Sequence, residues 1–333
     1  MKTITMATVA QHAQVSKSTV SHFLNGRYSH MSAETKKRVE KSIKELDYRP
    51  NILARSLKQK TTTTIGVIVA NSLHTFSAQV IRSIEDICNK ADFHLIVCNA
   101  DNDSIKEQNY IDMLRAKQVD GMIISPTGHN EAIYNDMVES SYPVVLVDRT
   151  LPNVEIPSVM INNEMASGLA VQHFIDKGYR KISIITNEID AIAPRIERIV
   201  GYKKTLEING LKIAEDYIKA LEIKHVQHGV KELMELKEPP EAILAGNDLT
   251  LIEILKYLKS QNMKIPKDMA VIGIDDVSFA SFFEPALTIV EQPAFDIGKK
   301  AAELLMGKIQ KDDQVDQPKI YLFEPELVIR NSC

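Results

Sequence analysis

From residue 65 onward the hydrophobic pattern leaves little choice of fold. Short apolar runs rich in Val and Ile recur: IGVIV (65–69), HLIVC (94–98), GMIIS (121–125), PVVLV (143–147), SVMI (158–161), ISIIT (182–186), AILAG (242–246) and AVIGI (270–274). Amphipathic stretches at 76–91, 104–117, 163–177, 195–209 and 248–261 lie between them. A run that is apolar at nearly every position has no face for water. It belongs in a parallel sheet covered by helices on both sides. These runs are too many for one small sheet, so the pattern predicts two α/β subdomains. Ligands bind such sheets outside the carboxyl ends of the strands.

Polar residues collect at those ends. Asn71-Ser72 follows the first run, Asn99 and Asp101 the second, Ser125-Pro126-Thr127 the third, and Asp148-Arg149 the fourth. In the second half Asn247-Asp248 follows AILAG, and Asp275-Asp276 follows AVIGI. Any one of these is an ordinary cap or turn former. The set predicts two walls of a polar cleft suited to a hydroxyl-rich small molecule.

The N-terminal segment has a different period. In ITMATVAQHAQVSKSTVSHFLN (4–25), Met6, Val9, Ala10 and Ala13 fall on one helical face. Val15 and Ser16 break the phase, and Ser16 is placed to cap a second helix. There Val20 and Leu24 point inward, while Lys17, Ser18, Ser21 and His22 form a short polar face. These are groups that reach base edges or phosphates, as a helix-turn-helix recognition helix requires; the alternative is an ordinary amphipathic pair. A third helix, capped by Ser32, has the inner stripe Val39, Ile43 and Leu46 and stops at Tyr48-Arg49-Pro50. Residues 1–60 hold 12 Lys and Arg against 4 Asp and Glu, whereas the whole chain carries a net charge of −4. A basic head on an acidic body suggests a polyanion-binding module joined to a domain with another task.

The 333 residues suffice for two or three domains, and 44% of them are apolar. No apolar run approaches the roughly 18 residues that span a membrane, and residues 1–25 carry no secretory core. Cys88, Cys98 and Cys333 lack metal spacing, and their odd number suits reduced thiols in a cytoplasm. No cofactor or metal is expected. His225 and His228 have helical spacing without a third ligand and read as surface residues. The chain contains no P-loop, GxGxxG, GxSxG or HExxH. A sugar hydrolase or kinase is thus a weak rival, and a secreted sugar-binding protein does not explain the basic head.

The strings VAQHAQVSKSTVSHFLN, YRPNILARSL, KQVDGMIIS, RIVGY, GNDL, VIGIDD and ELVIRNS, with the Asp148-Arg149 pair, together resemble the LacI/GalR family of bacterial transcription regulators over nearly the whole chain. The resemblance implies a helix-turn-helix head at 1–48, a hinge helix and linker at 49–61, and an effector-binding and dimerisation body at 62–333. That body would be two Rossmann-like subdomains of periplasmic-binding-protein type I. One spans about 62–161 and 292–323, the other about 162–291 and 324–333. Lys17, Ser18 and His22 would face the major groove, with Thr5, Ser16, Thr19, Ser21 and Asn25 completing the DNA-binding set. Asn51 and Arg55 would follow the backbone, and Leu57 would wedge into the minor groove. Gln14 replaces the family's usual turn glycine, and His22 stands where Arg is usual, which alters the expected base reading.

On the effector side the resemblance implies Phe76, Asp148, Arg198, Asn247 and Asp275, with Asn71, Ser125, Arg149 and Arg195 beside them. CNADND, SPTGHN, PVVLVDR and APRIERIVGYK further resemble the branch of regulators of 2-keto-3-deoxygluconate and related sugar-acid utilisation. For a sugar acid, Arg149, Arg195, Arg198 and His129 are the cations available. The expectation is a repressor released from a palindromic operator by such an effector, with a corepressor role as the alternative. One short recognition helix reads too few bases, so a homodimer is expected. The chain stops at Cys333 without the family's leucine tail, which favours a dimer over a tetramer. Deleting residues 1–60 is expected to abolish operator binding in a mobility-shift assay while calorimetric ligand binding persists; loss of both would count against separable domains.

Overall fold

A computed structural model describes residues 4–29, 31–49, 61–190, 192–310 and 319–333. The expected hinge residues Asn51, Arg55 and Leu57 lie outside the described residues. The chain divides into a compact unit up to Thr62 and another from Thr63 onward.

The first unit holds α1 (Met6–His12), α2 (Lys17–Leu24) and α3 (Ala33–Glu45). Each begins the same way. The hydroxyls of Thr5, Ser16 and Ser32 accept the N–H groups of Thr8, Thr19 and Thr35, satisfying donors the helix itself cannot. Each also ends the same way, in a left-handed residue: Gln14 (φ 54), Gly26 (φ 69) and Asp47 (φ 44). The next N–H then folds back over the last turn: Val15 to the Ala10 carbonyl at 2.9 Å, Arg27 to His22 at 2.9 Å, Tyr48 to Ile43 at 3.0 Å. These are Schellman closures. They deliver Val15 and Tyr48 onto the core of Val9, Ala10, Ala13, Val20 and Val39. Gln14 therefore takes a conformation that costs an L-residue about 1 kcal/mol and glycine nothing.

The second unit runs β1 (Thr64–Val69), α4 (Thr75–Lys90), β2 (His94–Asn99), α5 (Ser104–Ala116), β3 (Gly121–Ile124), α6 (Glu131–Glu139), β4 (Val144–Val147) and β5 (Ser158–Ile161). Then come α7 (Asn163–Asp176), β6 (Ile182–Thr186), α8 (Ala193–Ile208), β7 (Ile218–Ala220), α9 (Val226–Met234), β8 (Ala242–Ala245) and α10 (Asp248–Ser260). It closes with β9 (Ala270–Ile274), β10 (Thr288–Glu291), α11 (Ala294–Gln310), β11 (Ile320–Phe323) and β12 (Glu326–Val328). The apolar runs form two sheets ordered β2-β1-β3-β4-β5-β11 and β7-β6-β8-β9-β10-β12. The first is wholly parallel; in the second only β12 runs antiparallel, against β10. Each order reverses direction after its first strand, β1 or β6, which opens a crevice at the carboxyl ends.

Two lobes result, and the chain passes between them after β5, after β10 and after β11. The first and last of these passages are joined by Asn162 N–H donating to the Phe323 carbonyl at 3.0 Å. The apolar pattern does not predict α6, α9, α11, β7, β10, β11 or β12. Strands β7 and β11 are sheet edges, half-buried or exposed along their length, so they lack the continuous apolar signature of the central strands. Among the described residues no helix is long and apolar enough to cross a membrane.

Helix α8 lies tightly on α7. A Cβ at Gly201 would stand 2.7 Å from Glu164 Cα and 2.8 Å from its carbonyl carbon. Backbone cannot yield as a side chain can, so Gly201→Ala forces α8 outward. It should cost about 1–3 kcal/mol, measured as a lower urea midpoint, with the head's own unfolding unchanged.

Candidate ligand cleft and nucleic-acid interface

The carboxyl ends of both sheets face one cleft of about 520 Å³, counting the space open to solvent. Asn71, Phe76, Ser125, Asp148 and Arg149 line it from the first lobe; Arg195, Arg198, Asn247 and Asp275 line it from the second. These nine of the residues expected from sequence are thus brought to one place, whereas His129 is not among the lining residues and pairs with Asp190 at 3.4 Å. Asn99 and Asp101, also at a strand end, serve their own turn: Asn99 accepts from Ser72 N–H, and Asp101 pairs with Lys106. Sequence reasoning passed over Ala70, His74, Ser77, Ile192, Pro194 and Gln292, which also line the cleft. Gln292 follows β10, a strand the pattern did not reveal. His74 was signalled only by its place just before α4.

The lobes repeat one device. Asp148 after β4 (φ 69) and Asp275 after β9 (φ 76) are both left-handed. Each backbone N–H donates to the neighbouring strand, Asp148 to Val159 at 2.9 Å and Asp275 to Val290 at 3.0 Å. The turn aims each carboxylate at the cleft, an unusual conformation of the kind concentrated at functional sites.

The buried Arg198 is held on three sides. Its Nε donates to Asn163 Oδ1 at 2.9 Å, its Nη1 to the Gly246 carbonyl at 2.5 Å, and Asp275 Oδ2 lies 4.0 Å away. Arg149 donates to the Pro126 carbonyl at 3.1 Å and Asn102 Oδ1 at 3.0 Å. Its Nε is 3.4 Å from Asp148 Oδ2, an ion-pair distance without hydrogen-bond geometry. Burial pulls the Arg149 pKa down, with Asp148 opposing. Arg195 differs. Among the described residues its guanidinium donates only to the Glu188 carbonyl. Burial, then the charge of Arg149, lowers its pKa to about 10.

Burial raises the Asp275 pKa, against the pull of Arg198. Gln292 Nε2 donates to Asp275, while Gln292 Oε1 is buried without a partner. That arrangement leaves an acceptor for a ligand hydroxyl. Asn247 caps α10, accepting from Thr250 N–H at 2.9 Å, and its amide donates to Asn187. Beneath the first-lobe wall the buried Glu107 accepts from Thr127 N–H (2.6 Å), Asn130 Nδ2 (2.9 Å) and Tyr134 Oη (3.0 Å), fixing the loop that carries Ser125. Among the described residues no cluster of His, Cys, Asp or Glu is arranged to hold a metal. The cleft offers positioning and charge.

In the head, Lys17, Ser18 and His22 are exposed along α2, and Thr19 and Ser21 are half-buried. Thr5 and Ser16 are engaged as helix caps, and Asn25 Nδ2 donates back to the Ser21 carbonyl at 2.7 Å. The groups left free on α2 are chiefly Lys17 and His22. Lys36 Nζ sits 4.1 Å over the Tyr28 ring beside α2.

A model of bacterial regulatory proteins of the lacI family matches residues 5–51, and one of a periplasmic binding protein-like domain matches 171–333. The chain is 45% identical over 312 residues to a probable HTH-type transcriptional regulator EndR of Paenibacillus polymyxa, covering 93% of this chain and 92% of that one. This chain belongs to the LacI family. It is also 32% identical over 335 residues to the HTH-type transcriptional regulator KdgR of Bacillus subtilis strain 168, covering 98% and 97% of the two chains. Among solved structures, the transcriptional regulator CelR in complex with cellobiose superposes with a TM-score of 0.73 at 26% identity, covering 99% of this chain and 100% of that one. The family member described here is a DNA-binding transcriptional regulator, not an enzyme.

Because burial raises the Asp275 pKa, the unfolded chain ionises this group more readily than the fold does. Its charge thus weakens the fold at neutral pH, and the penalty disappears as pH falls toward the ordinary carboxylate range. Asp275→Asn should raise the melting temperature at pH 7 by a few degrees, with a smaller gain at pH 4.

Proposed function

We propose that this regulator is a cytoplasmic, nucleoid-associated repressor of sugar-acid catabolism genes, released from a palindromic operator by an acidic sugar. The observation that carries the effector class is the charge balance of the cleft. Arg149, Arg195 and Arg198 face Asp148 and Asp275, and burial already disfavours the charge on Asp275. Arg149 and Arg198 are engaged by the protein, whereas Arg195 has a guanidinium edge to spare. A carboxylate held by that fork supplies the missing negative charge. Hydroxyls are left to Asp275, Gln292, Asn247 and Asp148, and Phe76 offers an apolar face.

Lys17, Ser18 and His22 are the base and phosphate readers in this account, with Thr5, Ser16, Thr19, Ser21 and Asn25 supporting them. Asn51, Arg55 and Leu57 act at the operator centre. Helix α2 has only 8 residues, so one copy spans too few base pairs for a unique site. A two-fold symmetric dimer doubles the reading. Effector that binds one lobe arrangement better than the other shifts the population and thereby operator affinity.

Calorimetric titration of the full chain with 2-keto-3-deoxygluconate, glucose and cellobiose tests the effector class. The acid should bind at least about tenfold more tightly than either neutral sugar. Arg195→Met should weaken the acid by about 10–100-fold, the range expected for one charge-assisted pair, and leave the neutral sugars unchanged. Tighter binding of glucose or cellobiose overturns the acid assignment.

A further inference from the structure

The N-terminus of α4 in the first lobe is capped from the other lobe. Its own N-cap residue, His74, makes no side-chain cap. Instead the buried Asp248, at the start of α10 in the second lobe, reaches across. His74 Nδ1–H donates to Asp248 Oδ1 at 2.5 Å, and Thr75 N–H donates to Asp248 Oδ2 at 2.8 Å. The same carboxylate accepts Leu249 N–H of its own helix at 2.8 Å. One carboxylate therefore closes two helix N-termini, one in each lobe. Burial works against its charge, but His74 and the Thr75 and Leu249 amides outweigh it and hold its pKa below the ordinary value. Asp275 is charged and close enough to interact with both members of this pair.

Opposing forces act across the same cleft. Arg149 stands on the first lobe and Arg195 and Arg198 on the second, and like charges facing across a cleft repel. The remaining ion pair between the lobes among the described residues, His129 Nε2 to Asp190 Oδ1 at 3.4 Å, is solvent-exposed and contributes little. We infer that Asp248 is the interlobe clamp of this cleft, a positioning residue that holds the lobes together against arginine repulsion when no anion is bound. Opening the cleft takes from α4 the one side-chain cap acceptor found among the described residues and exchanges two of the carboxylate's three protein donors for water, an unfavourable change. Closure by an acidic ligand then adds to a contact that already exists. Asp248 follows Asn247, so the clamp and a ligand-facing amide move as one piece. The clamp stands on contacts within the free protein. Only its use in regulation rests on the effector reading above.

Hydrogen exchange on the full-length, ligand-free protein tests it. In Asp248→Asn, amides 75–78 at the start of α4 should exchange about tenfold faster or more, and solution scattering should show a larger radius of gyration. Strands β1 and β8 should stay protected. His74→Ala, which leaves α10 untouched, should loosen the same amides to a smaller degree. A purely local role for Asp248 predicts loosening confined to the first turn of α10; that outcome, or unchanged exchange at 75–78 in both variants, overturns the clamp. Calorimetry with 2-keto-3-deoxygluconate on the same samples is a separate readout. Failure of the acid to bind removes the effector assignment and leaves the exchange result to decide the clamp.

Discussion

The constraint on which the body depends is that the central strands of two largely parallel sheets are buried on both faces. A strand with no solvent-facing side cannot carry a charge, and β3, β4, β8 and β9 carry no polar side chain at all. Ionisable groups on the central chain paths are therefore displaced to the strand ends. Because each strand order reverses after β1 and after β6, those ends splay apart and leave room for a ligand. Two such lobes face to face make a cleft whose chemistry is whatever follows the strands. The polar cleft is a consequence of the dry sheets.

Inside the cleft the arginines decide the character of the site. Arg198 and Arg149 are costly to bury and are retained because carbonyls and amides absorb their donors. Their positions are fixed in turn by Asn163, Asn102 and the Glu107 network. Arg195 lacks such an enclosure, which makes it the residue whose charge a ligand can still satisfy. Asp248 contributes from outside the arginine set by tying α4 to α10. The cleft thus combines three arginines facing two aspartates with a tie between its lobes.

Much of this was legible in the residues. The helix-turn-helix core, its caps at Ser16 and Ser32, and the central strands follow from periodicity, because each needs only local pattern and burial. The nine cleft residues were legible as strand-end residues and through the family resemblance. Gln292 and His74 were not. Gln292 sits behind β10, a four-residue strand with no distinctive pattern, and His74 matters through Asp248, 174 positions away. The head shows the same division. Gln14 reads as a departure from a glycine turn, but only the folded chain shows that it takes a φ of 54 there and still lets Val15 close the helix.

By itself the sequence determined which segments are helix and strand in the central layers, that a basic reading head precedes an α/β body, and which residue types stand at the strand ends. Hydrophobic periodicity and capping are short-range and are written directly in the chain. Tertiary structure alone decided which strand-end residues share a cleft and which, like Asn99 and Asp101, turn away. It also decided which arginine keeps a free edge, and that one carboxylate spans both lobes. Those outcomes depend on distances between residues far apart in sequence, and such distances are set only when both sheets are packed and their crossovers closed.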